Sequence, residues 1–258
     1  MGPFFENVRP DSIPVERLVR PGEILARLAQ YGIAIFHGLD SAPSLVALAR
    51  TLGTALPHPD SDAHAVTVIT EREAVAGRAF ADGFSRAALA PHTDRADMLV
   101  PPGLLVNLCV VQAETGGESV FADGGAIYRL LAARAPEALQ ALSQPNAVAY
   151  GRSHVYAGPI FEPSGSGRRL RIRVWPPEQG RFSQAAEAAL GELKLAIDAQ
   201  ALTIGLAAGQ GYVVDNHRWL HGRRAYLGNR VMLRIGVEPH QGALLTGIPS
   251  VLQRGVQG

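Results

Sequence analysis

The sequence predicts a mixed α+β protein: a sandwich or barrel of short β-strands with helices packed on its outside. A series of short apolar runs between Leu104 and Glu238, each bounded by Gly, Pro or Asn, supplies the strands. Stretches at helical spacing precede and interrupt them. With 258 residues, 47% hydrophobic and only 18% charged, the chain can bury a substantial core, which excludes a disordered class. No repeat or composition break divides it, so a single domain over residues 1–258 is expected.

In order, Gly22 to Gln30 has helical spacing, Gly32 to Phe36 is a short apolar run, and Ser44 to Leu52 is a second amphipathic stretch stopped at Gly53. Val75 to Pro91 is rich in Ala and Gly and keeps no period. It reads as a mobile loop, and Val75 to Ala90 could close over a site. The strands follow at Leu104–Val111, Ser119–Ala122, Ala147–Tyr150, Leu170–Trp175, Tyr212–Asp215 and Arg230–Glu238, with helical insertions at Ile127–Leu142 and Gln184–Ala199. Pro163 to Gly167 is a turn that neither follows a buried strand nor opens a helix, so no phosphate cradle is assigned there.

Twenty-four Lys+Arg against 23 Asp+Glu leave a formal charge of +1, without the basic excess that nucleic-acid binding requires. Lys194 is the single lysine, which disfavours Schiff-base and P-loop chemistry. Cys109 is the single cysteine, which excludes an internal disulfide, a four-cysteine zinc site and a ligated iron–sulfur cluster. The N-terminal residues lack a signal-peptide pattern, and no apolar run reaches the ~18 residues of a membrane span. A cytoplasmic protein with a small-molecule substrate, and neither nucleic acid nor membrane as partner, is expected.

Any metal must therefore rest on His, Asp or Glu. In Pro91-His-Thr-Asp94, residues i and i+2 of an extended segment point the same way, so His92 and Asp94 can bind one ion. A third ligand is available downstream in Val214-Asp-Asn-His-Arg-Trp-Leu-His-Gly-Arg-Arg224, at His217 or His221. Two histidines and a carboxylate make a facial triad, which leaves adjacent positions of an octahedral iron(II) open. Beyond it, Arg230 and Arg234 share one face of an otherwise apolar strand. Buried guanidinium groups require anions, and their forks match carboxylates. A dicarboxylate such as 2-oxoglutarate supplies that partner, with its keto-acid end on the iron, its far carboxylate on an arginine and one position left for O2. A structural reading also exists, in which the arginines pair with acidic side chains and a histidine merely ties down a turn.

Three blocks resemble the taurine dioxygenase and clavaminate-synthase-like family of iron(II)/2-oxoglutarate oxygenases: Pro91-His-Thr-Asp94; Ala113-Glu-Thr-Gly-Gly-Glu-Ser119 followed by Asp123-Gly; and Asp215-Asn-His-Arg-Trp-Leu-His-Gly-Arg223 with Arg230-Val-Met-Leu-Arg234. The resemblance runs over most of the chain. It implies a double-stranded β-helix (jelly-roll) core with flanking helices. It also implies that His92, Asp94 and His221 are the metal ligands, which favours His221 over His217. Arg230, helped by Ser119, would meet the far carboxylate of the cosubstrate, and Arg234 would contact the cosubstrate or an acidic group of the substrate. The implied activity is O2-dependent oxidation of an unactivated C–H bond, by default hydroxylation, while 2-oxoglutarate becomes succinate and CO2. Desaturation, epimerisation or cyclisation share its first step. Halogenating members of the family replace the carboxylate ligand, whereas this sequence keeps Asp94. A non-catalytic jelly-roll binding protein and a metal-dependent hydrolase are the rival classes. The expected substrate is a small polar molecule, amino-acid-derived or a secondary-metabolite intermediate, with Arg95, Asn107, Arg152 and His154 as candidate contacts.

Overall fold

A computed structural model describes residues 15–16, 21–72, 82–151, 156–164, 169–242, 244 and 246–249. In chain order, the strands of its two main sheets are β1 (Val15–Glu16), β2 (Ile33–His37), β3 (Gly53–Leu56), β4 (Thr67–Ile69), β5 (Leu89–His92), β6 (Leu104–Val111), β7 (Ser119–Asp123), β8 (Leu202–Ile204), β9 (Gln210–Asp215), β10 (Trp219–Arg223) and β11 (Val231–Pro239). The larger sheet runs β1-β2-β9-β6-β11-β3, with β4 also on β11. Only β1 and β2 pair in parallel within it. The smaller sheet, β8-β7-β10-β5, is antiparallel throughout.

Side chains that alternate along β6 and β11 explain why both read as nearly continuous apolar runs. Leu104, Val106 and Leu108 of β6 and Leu233, Ile235 and Val237 of β11 face outward. There they pack against α1 (Pro21–Tyr31) and α2 (Ala42–Leu52) through Ile24, Leu28, Leu45, Ala49 and Leu52. Leu105 and Cys109 of β6 and Met232 of β11 face the other way and meet Phe121, Tyr212 and Trp219 between the two sheets. Each sheet thus has a buried inner face, and the larger one is covered on both sides. Gly32 links α1 to β2 at φ +74°, where a Cβ would stand 2.7 Å from Trp219 Nε1, so glycine is required by both conformation and space.

A second helical layer, α3 (Gly124–Arg134), α4 (Pro136–Leu142) and α5 (Gln184–Gln200), packs on the smaller sheet through Ile127, Leu131, Leu142, Leu193 and Ile197 against Ala122 and Leu220. The single helix expected over Ile127–Leu142 is in fact two. Pro136 has no N–H to continue α3, and its ring disfavours helical geometry at Ala135, which sits at φ −144°. The unbroken loop expected over Val75–Pro91 also needs correction. Residues 73–81 lie outside the described residues, but Asp82–Phe84 forms a 3-10 turn and Leu89–His92 is a strand. That strand is four residues long and contains Pro91, which only an edge position tolerates, so it carries almost no periodic signal. The strand expected over Leu170–Trp175 stops at Ile172. Among the described residues no helix is long and apolar enough to cross a membrane.

Candidate active site

The cross-strand register of the smaller sheet sets His221 of β10 directly opposite His92 of β5. Their rings lie 4.5 Å apart, centre to centre, and Asp94 follows two residues later in the turn leaving β5. One ligand atom from each of His92, Asp94 and His221 falls within 4.8 Å of the other two. The close approach of β5 depends on Gly222, where a Cβ would lie 2.5 Å from the Leu89 carbonyl oxygen.

Each donor is held in a form that suits a cation. His92 Nδ1 donates to the Ala90 carbonyl at 2.9 Å, which leaves the Nε2 lone pair, 3.8 Å from Asp94 Oδ1, as the free donor atom. Burial alone would raise the Asp94 carboxyl. The Arg234 guanidinium, with the two histidines, outweighs it and holds Asp94 well below the usual carboxylate range. Burial, and then the neighbouring His92, push His221 down to about 3, so its imidazole is neutral, and its buried Nδ1 has no hydrogen-bond partner. Two imidazoles, that of His221 neutral, an ionised carboxylate and an orphaned buried ring nitrogen fit a borderline divalent metal such as iron(II).

Backbone contacts position the carboxylate. Asn216, in the β9–β10 turn, accepts from Asp94 N–H at 2.8 Å and donates to the Asp94 and Pro102 carbonyls, both at 3.0 Å. Thr93 N–H donates to the Val174 carbonyl at 2.8 Å, and Thr93 Oγ1 accepts from Val174 N–H at 3.1 Å. His217 is turned away from the triad. Its ring bridges the Pro101 carbonyl (3.1 Å) and Thr246 Oγ1 (2.8 Å). In the geometry, His221 and not His217 joins His92 and Asp94. The first half of the Asp215–Arg223 block is scaffolding: Asp215 accepts the backbone N–H groups of His217 and Gly247, and Arg218 grips Asp123 through two 2.8 Å contacts.

The triad opens into a cavity of about 370 Å³ that Arg230, Arg234, Ser119, Asn107 and Arg95 also line. Arg230, Met232 and Arg234 alternate onto the inner face with the spacing expected, although the β6–β11 register shifts at Val231/Met232. Arg230 is 7% exposed, and no carboxylate among the described residues pairs with it. Burial lowers its pKa. The nearby Tyr226 ring, 5.7 Å from its guanidinium carbon, is not an anion. Arg234, expected to contact the cosubstrate or substrate, lines the cavity and also meets a partner within the chain. Its Nη1 lies 2.9 Å and 2.7 Å from the two oxygens of Asp94, so its guanidinium is engaged with the candidate ligand, a carboxylate within reach on the facing turn. Asn107 is 3% exposed with Nδ2 unpartnered, and Ser119 is equally buried. Arg152 and His154 lie outside the described residues.

Sequence reasoning missed several cavity residues, among them His58 and Asp60, Asp97, and Arg223. The His58-Pro-Asp-Ser61 turn was the available signal: Ser61 Oγ accepts from His58 N–H and His58 Nδ1 accepts from Asp60 N–H. Burial, and then Arg234, push His58 down to about 4, leaving it neutral. Arg223 donates to the Ser85 and Ala87 carbonyls at 2.7 Å and 2.6 Å, and so draws the segment before β5 against the cavity.

Comparison with known proteins places the fold and the family. Rat (Rattus norvegicus) mitochondrial trimethyllysine dioxygenase is 29% identical over 213 residues, covering 72% of this chain and 50% of that protein, so the chain spans about half the length of this relative. Among solved structures, asparagine oxygenase (AsnO) superposes with a TM-score of 0.67 at 19% identity, covering 87% of this chain and 83% of its own. The non-heme iron oxygenase OrfP, in complex with Fe, succinate and (3S)-hydroxy-L-Arg, gives 0.67 at 16% identity, covering 88% and 85%. These likenesses identify the fold as the jelly-roll oxygenase fold, a mixed α+β architecture with helices flanking the double-stranded β-helix. The model of the taurine catabolism dioxygenase TauD, TfdA family matches residues 10–235, and the chain belongs to that family.

Proposed function

We propose that this chain, as one oxygenase domain over residues 1–258, is an Fe(II)- and 2-oxoglutarate-dependent dioxygenase that hydroxylates an unactivated C–H bond of a small, amino-acid-derived molecule. The observation that carries this reading is one cavity holding both the His92–Asp94–His221 cluster and a buried arginine with no carboxylate partner. Family membership supports the cofactors, and the neighbours crystallised with asparagine- and arginine-derived products support the substrate class.

In this reading His92, Asp94 and His221 hold the iron. When bound, iron with 2-oxoglutarate and O2 supplies the two-electron oxidation that a protein side chain cannot. The chain does the rest. The Ala90 carbonyl fixes the His92 tautomer, Arg234 keeps Asp94 ionised, and Asn216 keeps its backbone in place. Arg230 receives the far carboxylate of the cosubstrate in a desolvated setting, with the Ser119 hydroxyl beside it. Apolar walls at Phe84, Leu89 and Trp175 exclude water from the reacting carbon.

The test is succinate formation by purified protein. It should require Fe(II), 2-oxoglutarate and O2 together, and a stimulating substrate should gain the mass of one oxygen atom. Succinate formation without added or bound iron, or hydrolysis without O2, would overturn the reading. A product two hydrogens lighter than its substrate would assign desaturation or cyclisation to the same site.

A further inference from the structure

The turn that follows Asp94 is built with unusual rigidity. Arg95 adopts φ +55°, a left-handed conformation that a non-glycine residue holds only when its surroundings impose it. The restraint comes from Arg173, which is 0% exposed and donates to the carbonyls of Ala96, Met98 and Leu99 at 3.0, 2.6 and 2.9 Å. Asn216 clamps the other end at Asp94. Asp97 rides on this fixed turn, three residues past the candidate ligand, and lines the cavity. Its Oδ1 is buried and has no hydrogen-bond partner. Arg95 Nε stands 3.7 Å from that oxygen, within ion-pair range but too far for a hydrogen bond.

A second observation on the same cavity is independent of this turn. Asn107 Nδ2, on β6, is buried and without a partner although the residue is only 3% exposed. An acceptor on Asp97 and a donor on Asn107 are therefore left open in the cavity that holds the triad. Of the other cavity guanidinium groups, Arg234 is engaged with Asp94, Arg223 gives its Nη atoms to backbone carbonyls while its buried Nε has no partner, and Arg230, in the proposed function, meets the cosubstrate.

We infer that Asp97 is the specificity-determining residue of the primary-substrate site and receives a cationic nitrogen, while Arg95 and Asn107 receive a carboxylate or carbonyl oxygen of the same molecule. A zwitterionic amino acid satisfies all three. It replaces one loose internal pair with charge-assisted hydrogen bonds to a rigid turn, and an N-acylated or purely anionic compound cannot do so. This inference rests on the proposed oxygenase function, because it places the substrate beside the His92–Asp94–His221 cluster.

The test uses the full chain with Fe(II) and two readouts. The first is succinate release with the proteinogenic L-amino acids, each compared with its N-acetyl derivative and with the corresponding amine-free carboxylic acid. Free amino acids should stimulate turnover and the other two sets should not. Asp97→Asn should raise the KM of the best amino acid about 10- to 100-fold, as expected for a lost hydrogen bond to a charged group. It should move the 2-oxoglutarate KM far less and reduce discrimination against the N-acetyl form. Asp97→Glu should partly restore the KM. Where iron-dependent succinate does form, stimulation confined to the amine-free or N-acetyl compounds, stimulation by none of the amino acids, or an unchanged KM in Asp97→Asn would each overturn the assignment.

The second readout needs no turnover. Millimolar amino acid should raise the thermal midpoint of the anaerobic protein with Fe(II) and 2-oxoglutarate, and this rise should be absent in Asp97→Asn. A shift of equal size in both proteins counts against Asp97. If no iron-dependent succinate forms under any condition while the midpoint shift and its loss in Asp97→Asn persist, the oxygenase function has failed and the amino-acid site stands.

Discussion

The side-chain amide of Asn216 and the backbone of Asp94 form a reciprocal pair, with Asp94 N–H donating to Oδ1 and Nδ2 donating to the Asp94 carbonyl. The pair mimics a short piece of β-ladder between two turns. It fixes the direction in which the Asp94 side chain leaves the backbone. Replacing Asn216 by Ala strands these buried groups and the Pro102 carbonyl, a loss of about 1–3 kcal/mol for an unsatisfied group. Asn216→Ala should lower the thermal midpoint and weaken iron binding, both measurable on the same preparation. Unchanged iron affinity would show that Asp94 keeps its place without the clamp.

The two histidines of the downstream block should separate cleanly. His221→Ala and His92→Ala should each lose tight iron binding and turnover, as should Asp94→Ala, because a facial triad has no spare ligand. His217→Ala should keep substantial activity and show its effect as lower stability, since its ring ties Pro101 to Thr246. Iron content after desalting, with a melting curve, decides between the two. An inactive His217→Ala beside an active His221→Ala reverses the ligand assignment.

Arg230→Ala should raise the 2-oxoglutarate KM by about two orders of magnitude or more, since breaking one side of a desolvated pair removes about 3–5 kcal/mol. Iron affinity should stay nearly intact. Lysine should rescue only in part, because it keeps the charge but not the planar fork. Ser119→Ala should act in the same direction with about 1–2 kcal/mol. Unchanged 2-oxoglutarate dependence in Arg230→Ala would shift attention to Arg234.

His217 also predicts a pH dependence of stability. Burial, and then the Arg171 charge, push it down to about 3, so it stays neutral in the folded chain while the unfolded chain protonates it near 6.5. Its contribution is complete above pH 6.5 and declines as pH falls toward 3, by up to about 1.4 kcal/mol per pH unit. Asp215 opposes this. Burial raises it to about 6, so its contribution is present below its ordinary value and is lost as pH rises through about 6. His58 adds to the histidine side, so metal-free protein should lose stability between pH 6.5 and pH 4. His217→Gln, which cannot take up the proton, should flatten that slope. An equal slope in both proteins removes His217 as its source.

The sequence was most legible where one physical signal dominated. The apolar runs Leu104–Val111 and Arg230–Glu238, bounded by turn residues, mark both strands, and the two-residue period of a strand puts Arg230 and Arg234 on one face, where the structure also has them. It was least legible where distant contacts decide. Nothing local in Pro91-His-Thr-Asp94 says that β5 exists, because its pairing comes entirely from β10. His217 and His221 are both buried, and only the three-dimensional partners of His217 separate them. Arg173 reads locally as one more arginine on an alternating strand, yet its carbonyl partners lie more than 70 residues away in the chain. The break at Pro136 was visible in the sequence, but the apolar spacing on either side of the proline obscured it.

The Asp94–Asn216 contact has a kinetic side as well. Its residues are 122 positions apart, so the site cannot nucleate early and locally as a helix or hairpin can. The turn that carries Asp94 should become ordered only after β10 has docked beside β5, when most of the chain is already committed to its topology. During refolding, helical signal should therefore recover well before the chain can retain iron. In the proposed function, metal uptake should then mark the end of folding, and a partly folded chain bearing the same three side chains should remain metal-free.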